Sequence, residues 1–482
     1  MLGALTDYNG GVSMNRVSLV IAFGLSLAMS SCSSNEGNKN DQLAGGPSTA
    51  GSPTAAGGGV NPAGGTGGSI GFAGGGVGAA AGSGAGGQAA TSGAANVAGE
   101  GSFGGQPGGL RPFPQHRYGT FCSYPKTASD ASVQSAFQVW KDVTVTSDGA
   151  GGFLRVKKPD SGAIIGSTAS EGIGYGMILA VYMADQALFD GLWRYEQLHL
   201  DAQGLMHWDI GPTGEVSGMG SASDGDIDIA WALIMADRQW GGQGSLDKTY
   251  LVYAQDLIDR IWRYEVDHTR GEMLMAGDTW GNVDITNPSY FAPAYFRAFG
   301  RVTNQVANWN KVIDRNYAIL SLSLNTTNGN SLNGLAPAWC NSKGEPVVAF
   351  AGAPTHFQND ATRVPFRIGQ DYCYTGDPRA KAYLSTISAF YDGVGVAKIV
   401  DGYNLDGSPH PERSVAGSQA ASFVGPAGVA AMSDAKYQAF IDQAYAAVAT
   451  QKLTAGTIYY QKSWTALSLL MLSGNLVDFT AP

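Results

Sequence analysis

The chain has 482 residues, 69 of them glycine, with 14% charged side chains and a net charge of −10. That acidity argues against nucleic acid as a partner, because phosphate backbones are held by Lys and Arg. The cysteines Cys32, Cys122, Cys340 and Cys373 show no CxxC or Cys/His metal spacing, the histidines form no HExxH pattern, and there is no GxxxxGK[ST] phosphate loop; no metal and no cofactor is called for.

In chain order, the first element starts at Met14. "MNRVSLVIAFGLSLAMSSC" has one basic residue, Arg16, then an apolar stretch Val17–Met29, then small residues before Cys32. This is the layout of an export signal over residues 1–31, with Met14 as a candidate true start. "AMSSC" resembles a bacterial lipoprotein signal, which would put a lipid on Cys32, although Met29 stands where that pattern prefers Leu, Val or Ile. Residues 32–110 are nearly all Gly, Ala, Ser, Thr and Pro. Such a segment has too little apolar surface to offset its chain entropy, so it reads as a disordered tether with a coil reach of ~50 Å. The expected localisation is exported: an outer-membrane or cell-surface lipoprotein, or a secreted protein, with a single folded domain over 111–482 and a monomeric state.

Within that domain the periodic signals are helical. "SEGIGYGMILAVYMADQALFDGLWRYEQLHL" reads as two helical segments with Ser170 as candidate N-cap. "SASDGDIDIAWALIMADRQW" leads with acids into an apolar run, expected to be helical from Ile227 to about Asp237. "LVYAQDLIDRIWRYE" carries Leu251, Ala254, Leu257, Ile258, Ile261 and Trp262 on one stripe, and "AKYQAFIDQAYAAVATQK" does the same with Phe440, Ile441, Ala444, Ala447 and Val448. "SWTALSLLMLSGN" ends at Gly474, a C-terminal helix stop. Long Gly/Pro/Asn-rich stretches separate the helices and regular strand spacing is lacking. The expected fold is all-α, a toroid of helices whose loops build one working face.

Three acidic positions stand out. Glu171 opens a helix beside Gly172, Gly174 and Gly176; glycine is costly inside helices, so three of them point to a close approach by backbone or ligand. Asp224, Asp226 and Asp228 follow one another too closely to be explained by capping alone. Asp360 lies in "NDATRVPFR", with Arg363 three residues on and Arg367 after it. Taken singly, each fits a structural role as well: a first-turn acid, a cap, an Asp–Arg pair. Taken together, with ten Trp and 21 Tyr to stack on flat rings and no nucleophile–base pattern, they favour glycosidic chemistry, which needs one carboxylic acid and one carboxylate.

The blocks "ASDGDIDIAWALIMADRQW", "SEGIGYGMILAVYMADQALFDGLWRY", "GLMHWDI", "NPSYFAPAYFRAF", "DATR", "ASFVGP" and "YYQKSWTALSLLMLSGN" resemble those of glycoside hydrolase family 8, in family order, from Gly119 to Pro482. The resemblance implies a six-fold α/α barrel of inner and outer helices and an inverting hydrolase. It implies Glu171 as general acid, Asp360 of the DAxR motif as the base that activates water and is kept ionised by Arg363, and Asp224 as holder of the distorted sugar. Tyr290 and Arg363 would line that subsite, Tyr460 another, and Trp208 and Trp280 would stack on sugars. Two positions depart from the family's cellulases: Asn359 replaces a Tyr before the base, and a Tyr expected shortly before "YYQKS" is missing. The blocks are most cellulase-like, which implies an endo-β-1,4-glucanase acting on a β-linked polysaccharide; xylanase, chitosanase and lichenase are the alternatives within the family. A surface-held carbohydrate-binding lipoprotein without catalysis is the alternative outside it. Asp226 and Asp228 are expected to cap or brace a helix start, and Asp237 to have no part in the chemistry. Export permits a disulfide, with Cys340–Cys373 the expected pair and Cys122 left over.

Overall fold

The computed structural model describes residues 111–162, 164–411, 419–453 and 455–481. The expected export signal, the expected lipid site at Cys32 and the expected tether lie outside the described residues.

The helices alternate between two kinds. One kind is α1 (Asp130–Thr144), α3 (Gln186–Gln197), α5 (Tyr250–Tyr264), α7 (Val306–Ser323), α9 (Pro378–Val394) and α11 (Gln438–Ala449). These are amphipathic: of the stripes read from the sequence, α5 buries Ala254, Leu257, Ile258 and Ile261, and α11 buries Phe440, Ile441, Ala444 and Val448, while Leu251, Trp262 and Ala447 are half-buried. The other kind is α2 (Ser170–Tyr182), α4 (Ser223–Trp240), α6 (Pro293–Val302), α8 (Arg363–Thr375), α10 (Ala421–Ala431) and α12 (Ile458–Leu472). These are buried on nearly every side, polar residues of α4 and α8 included; α10 is buried along its whole length.

Burial on every side means an inner position. Accordingly α2 packs on α4, α4 on α6, α6 on α8, α8 on α10, α10 on α12 and α12 back on α2, closing a ring. The amphipathic helices pack around it, and α1 rests on α12 across the join. This is the expected six-fold α/α barrel. Gly474 takes a left-handed φ of 71° just past α12, which stops the helix as expected.

Short strands trim one end of the ring. β1 (Val145–Thr146) pairs with β2 (Arg155–Val156), and β6 (Val266–Asp267) with β7 (Met273–Leu274). Between these pairs in the chain, β3 (Thr168–Ala169), β4 (Asp209–Ile210) and β5 (Val216–Gly218) form an antiparallel sheet in which Ala169 faces Asp209 and Asp209 faces Gly218.

Several expectations are corrected. The disulfide joins Cys122 to Cys373, and Cys340 is a buried free thiol. Cys122 belongs to the segment that enters the ring before α1, and Cys373 to the last turn of α8, 251 residues away, so sequence distance gave no hint of their contact. Ala169 takes the N-cap position of α2, and Ser170 is its first helical residue. Helix α4 begins at Ser223, ahead of the acids, because carboxylates are favourable in a first turn. Asp226 and Asp228 are buried and do not cap it, but Asp228 braces its start, as the alternative had it, through Arg367 of α8.

Candidate active site

Helix α2 presents one opening. Every one of its residues is buried except Glu171. Strand β3 delivers the chain to this point, and the Ser170 N–H donates to the Trp208 carbonyl at 3.0 Å, tying the helix start to the residue before β4. The three glycines that follow are contact points. A Cβ on Gly172 would meet the Tyr459 hydroxyl at 3.0 Å; one on Gly174 would meet the Asp228 Cβ at 2.7 Å and the Gly225 carbonyl at 3.2 Å; one on Gly176 would meet Leu192 at 2.7 Å. Gly225 answers from α4, where a Cβ would lie 2.5 Å from the Ser170 hydroxyl. Helices α2 and α4 therefore cross backbone to backbone, and Glu171 and Asp224 start two helices in contact.

The three candidate carboxylates converge on Arg363, the first residue of α8, whose side chain is 1% exposed. Its Nη1 donates to Asp224 Oδ2 at 2.5 Å and to Glu171 Oε2 at 2.9 Å, while Nη2 lies 3.7 Å from Asp360 Oδ1. The Ser289 hydroxyl accepts from Nη2 at 2.9 Å, and the guanidinium lies 5.1 Å from the Tyr290 ring centre. The short contacts of Arg363 go to Asp224, whose subsite it was expected to line, and to Glu171, with Asp360 the more distant of the three carboxylates. Arg367, one turn further along α8, forms a bidentate pair with Asp228 at 2.8 and 3.0 Å. Asp228 thus anchors α4 to α8 beneath the site.

Glu171 is held on both oxygens. Tyr459 donates to Oε1 at 3.0 Å; Arg363 and, at 3.3 Å, Tyr175 donate to Oε2. Its pKa is nevertheless raised, to about 7. Its side chain keeps only 20% exposure, and loss of solvent is the largest cause; Asp224 and Asp360 add to it, while Arg363 and the Tyr459 hydrogen bond work against it. A carboxyl with that affinity keeps a proton near neutrality and can give it to a leaving oxygen.

The cavity above these groups is lined by Glu171, Asp224, Asp360, Arg363, Tyr290, Trp208, Tyr459 and Tyr460, with Lys158, Ser161 and Thr457 along its wall. Trp208 is seated by β5: a Cβ on Gly218 would fall 2.1 Å from the indole, so only glycine permits the ring to lie there. Trp208 and Tyr290 continue into an adjoining apolar recess with Trp280, Trp339, Phe350 and Met219, where Trp280 and Trp339 stack at 5.5 Å and 13°. All eight site residues expected from the sequence thus line one of two adjoining cavities. Trp280 alone among them lines only the second. Tyr459, Tyr175 and Ser289 were not singled out. Their roles depend on partners far away in the chain, and the only sequence signal for Tyr459 was its place beside Tyr460. Among the described residues no group of three His, Cys, Asp or Glu could hold a metal ion.

A sequence model described as "Glycosyl hydrolases family 8" matches residues 112–474. The chain is 38% identical to Endoglucanase A of Acetivibrio thermocellus over 349 residues, 72% of this chain and 69% of that protein. It is 36% identical to Endoglucanase 2 of Ruminiclostridium josui, over 76% of each. The apo structure of a β-1,3-1,4-glucanase from Paenibacillus sp. X4 superposes with a TM-score of 0.68 at 30% identity, covering 77% of this chain and 99% of that one. With a barrel closed around paired carboxyls and a match that spans nearly the whole described domain, the chain belongs to family 8 of the glycosyl hydrolases.

Proposed function

We propose that the chain is an endo-acting β-1,4-glucanase that cleaves by single displacement with inversion, with Glu171 as general acid, Asp360 as the base for water and Asp224 holding the sugar at the scissile bond. The observation that carries this is the carboxyl of Glu171, raised to about 7 in a cavity it shares with Asp360, Asp224 and the Trp208 indole. An acid that keeps its proton beside a second carboxylate is what inverting glycosidic hydrolysis requires. The names of the two endoglucanases support cellulose-type β-1,4-glucan as substrate. The name of the structural relative favours mixed-linkage β-1,3-1,4-glucan as the second reading.

The test is reducing-sugar release from carboxymethylcellulose, lichenan, xylan and chitosan. Carboxymethylcellulose is expected to be the preferred polymer, with viscosity falling faster than sugar ends accumulate. Glu171→Gln is expected to lower turnover by ~10²–10⁴-fold, the usual contribution of a general acid. Unaffected turnover in that variant sinks the assignment, and preference for lichenan transfers it to the second reading.

The setting belongs to the same proposal: export directed by residues 1–31, a lipid on Cys32, the composition-defined tether to residue 110, and a monomeric catalytic head at a cell surface. One acyl chain binds membranes weakly and several bind firmly. Metabolic labelling with palmitate, lost in Cys32→Ser, checks the anchor; a soluble, unlabelled wild type would refute it.

A further inference from the structure

Arg363 is not the only cation on the wall of the Glu171 cavity. Lys158 follows β2 and lines the same space as Glu171, Ser170 and Trp208. Its ammonium lies 2.5 Å from Asp209 Oδ1, and the two side chains are 7% and 4% exposed. Asp209 is the residue after Trp208 and the partner of Ala169 in the sheet that starts α2. It also accepts from the Ser217 hydroxyl at 2.8 Å and the Ser167 hydroxyl at 3.3 Å.

The donor count is uneven. An ammonium carries three N–H donors, and among the described residues Asp209 takes one of them. Buried donors left without acceptors cost free energy, so the remaining two need a partner from the cavity side. The lysine is also fixed in place. Its backbone closes a hairpin, donating to the Ser167 carbonyl and accepting from Gly166, both at 2.8 Å. The hairpin is strapped to the start of α12, where the Ile458 N–H donates to Asp160 Oδ2 at 2.7 Å, next to Tyr459. Held at both backbone groups and by its carboxylate partner, Lys158 needs little further ordering to meet a ligand.

We propose that Lys158, oriented by Asp209, donates hydrogen bonds to hydroxyls of the sugar that lies over Trp208, and that it selects neutral, hydroxyl-bearing sugars against amino sugars. A glucosamine ammonium placed against Lys158 would meet a like charge, and the lysine ammonium has donors only. This rests on the hydrolase reading of the cavity and names which sugars it accepts.

The experiment compares wild type, Lys158→Met and the double variant Lys158→Met/Asp209→Asn, which leaves no unpaired carboxylate behind. Wild type is first run on the four polymers, and oligosaccharides of the polymer it cleaves serve as substrates. Both variants are expected to raise KM about tenfold or more, the loss of a hydrogen bond from a charged group, with kcat nearly unchanged. Activity on glucosamine oligomers is expected to rise relative to glucose oligomers. A purely structural lysine would shift melting temperature and leave KM and this ratio where they were. A folded double variant with wild-type KM overturns the proposal, as does efficient chitosan cleavage by wild type. A wild type inactive on every glucan overturns the glucanase reading instead, and Lys158 is then judged on the polymer that is cleaved.

Discussion

Glu171 has to bind its proton tightly enough to keep it at neutral pH and loosely enough to release it to a leaving oxygen. Burial and the neighbouring Asp224 and Asp360 strengthen its hold on the proton, while Arg363 and Tyr459 weaken it. The proposed acid works only in its protonated form, so activity is expected to fall as pH rises through about 7. Tyr459→Phe removes a hydrogen bond that favours the carboxylate but leaves the ring packed on Gly172. The alkaline limb of kcat/KM should then move up by about one pH unit, the equivalent of ~1.5 kcal/mol for a hydrogen bond to a charged group. A pH–rate profile of the two proteins decides it: an unmoved limb means that Tyr459 does not tune the acid. The sequence could direct attention to Glu171, Asp224 and Asp360 because each sits in a distinctive block. It could not show that one arginine joins the first two at short range, since Arg363 and Glu171 are 192 residues apart.

Between helices, the first two turns of α4 sort their acids by neighbour. Asp224 reaches Arg363, Asp228 reaches Arg367, and Asp226 lies against Glu265 at the end of α5 and Glu196 on α3. Burial raises Glu196 to about 8 and Glu265 to about 7, and pushes Asp226 well above the usual carboxylate range. Protons are therefore held more tightly in the folded protein than in the unfolded chain. The sign follows: their contribution to stability is complete below the ordinary carboxylate pKa, near 4.5, and is lost as pH climbs towards 8. Glu196→Gln keeps the shape and removes the titration. Its melting temperature should exceed that of wild type at pH 8.5 by an amount absent at pH 5, on the order of a few kcal/mol in stability. Equal differences at both pH values would refute the account. From the sequence Asp226 read as a helix-start residue because a first turn welcomes negative charge. Its actual environment is set by α3 and α5, which no local pattern reveals. The outer helices α5 and α11 were legible for the opposite reason: each buries one stripe, and the stripe is written in its spacing.

For the whole molecule, the ring was legible as alternating helix and loop plus a family resemblance, whereas its fastening was not. Inner helices such as α10 and α12 carry no stripe at all, because burial on every side erases the periodicity. The Cys122–Cys373 bond spans 251 residues and ties the entry segment to α8, the helix that begins with Arg363. A bond that closes so long a loop restricts the unfolded chain strongly, by ~2–5 kcal/mol in the usual range.

The segment that enters the ring also meets the one that leaves it. The Arg117 N–H donates to the Gly474 carbonyl at 3.0 Å, Asn475 accepts from the Gln115 N–H at 2.7 Å, and the Arg111 guanidinium lies 5.3 Å from the Phe479 ring centre. In a closed ring the position of the first residue is a matter of bookkeeping. Joining Arg111 to Ala481 through a short Gly/Ser linker, and cutting instead at the exposed turn beside Gly242 between α4 and α5, yields a circular permutant with every helix contact retained. Such a permutant should melt within a few degrees of the parent domain and keep its turnover; collapse of either would mean that the order in which the six helix pairs are made matters as much as their final places.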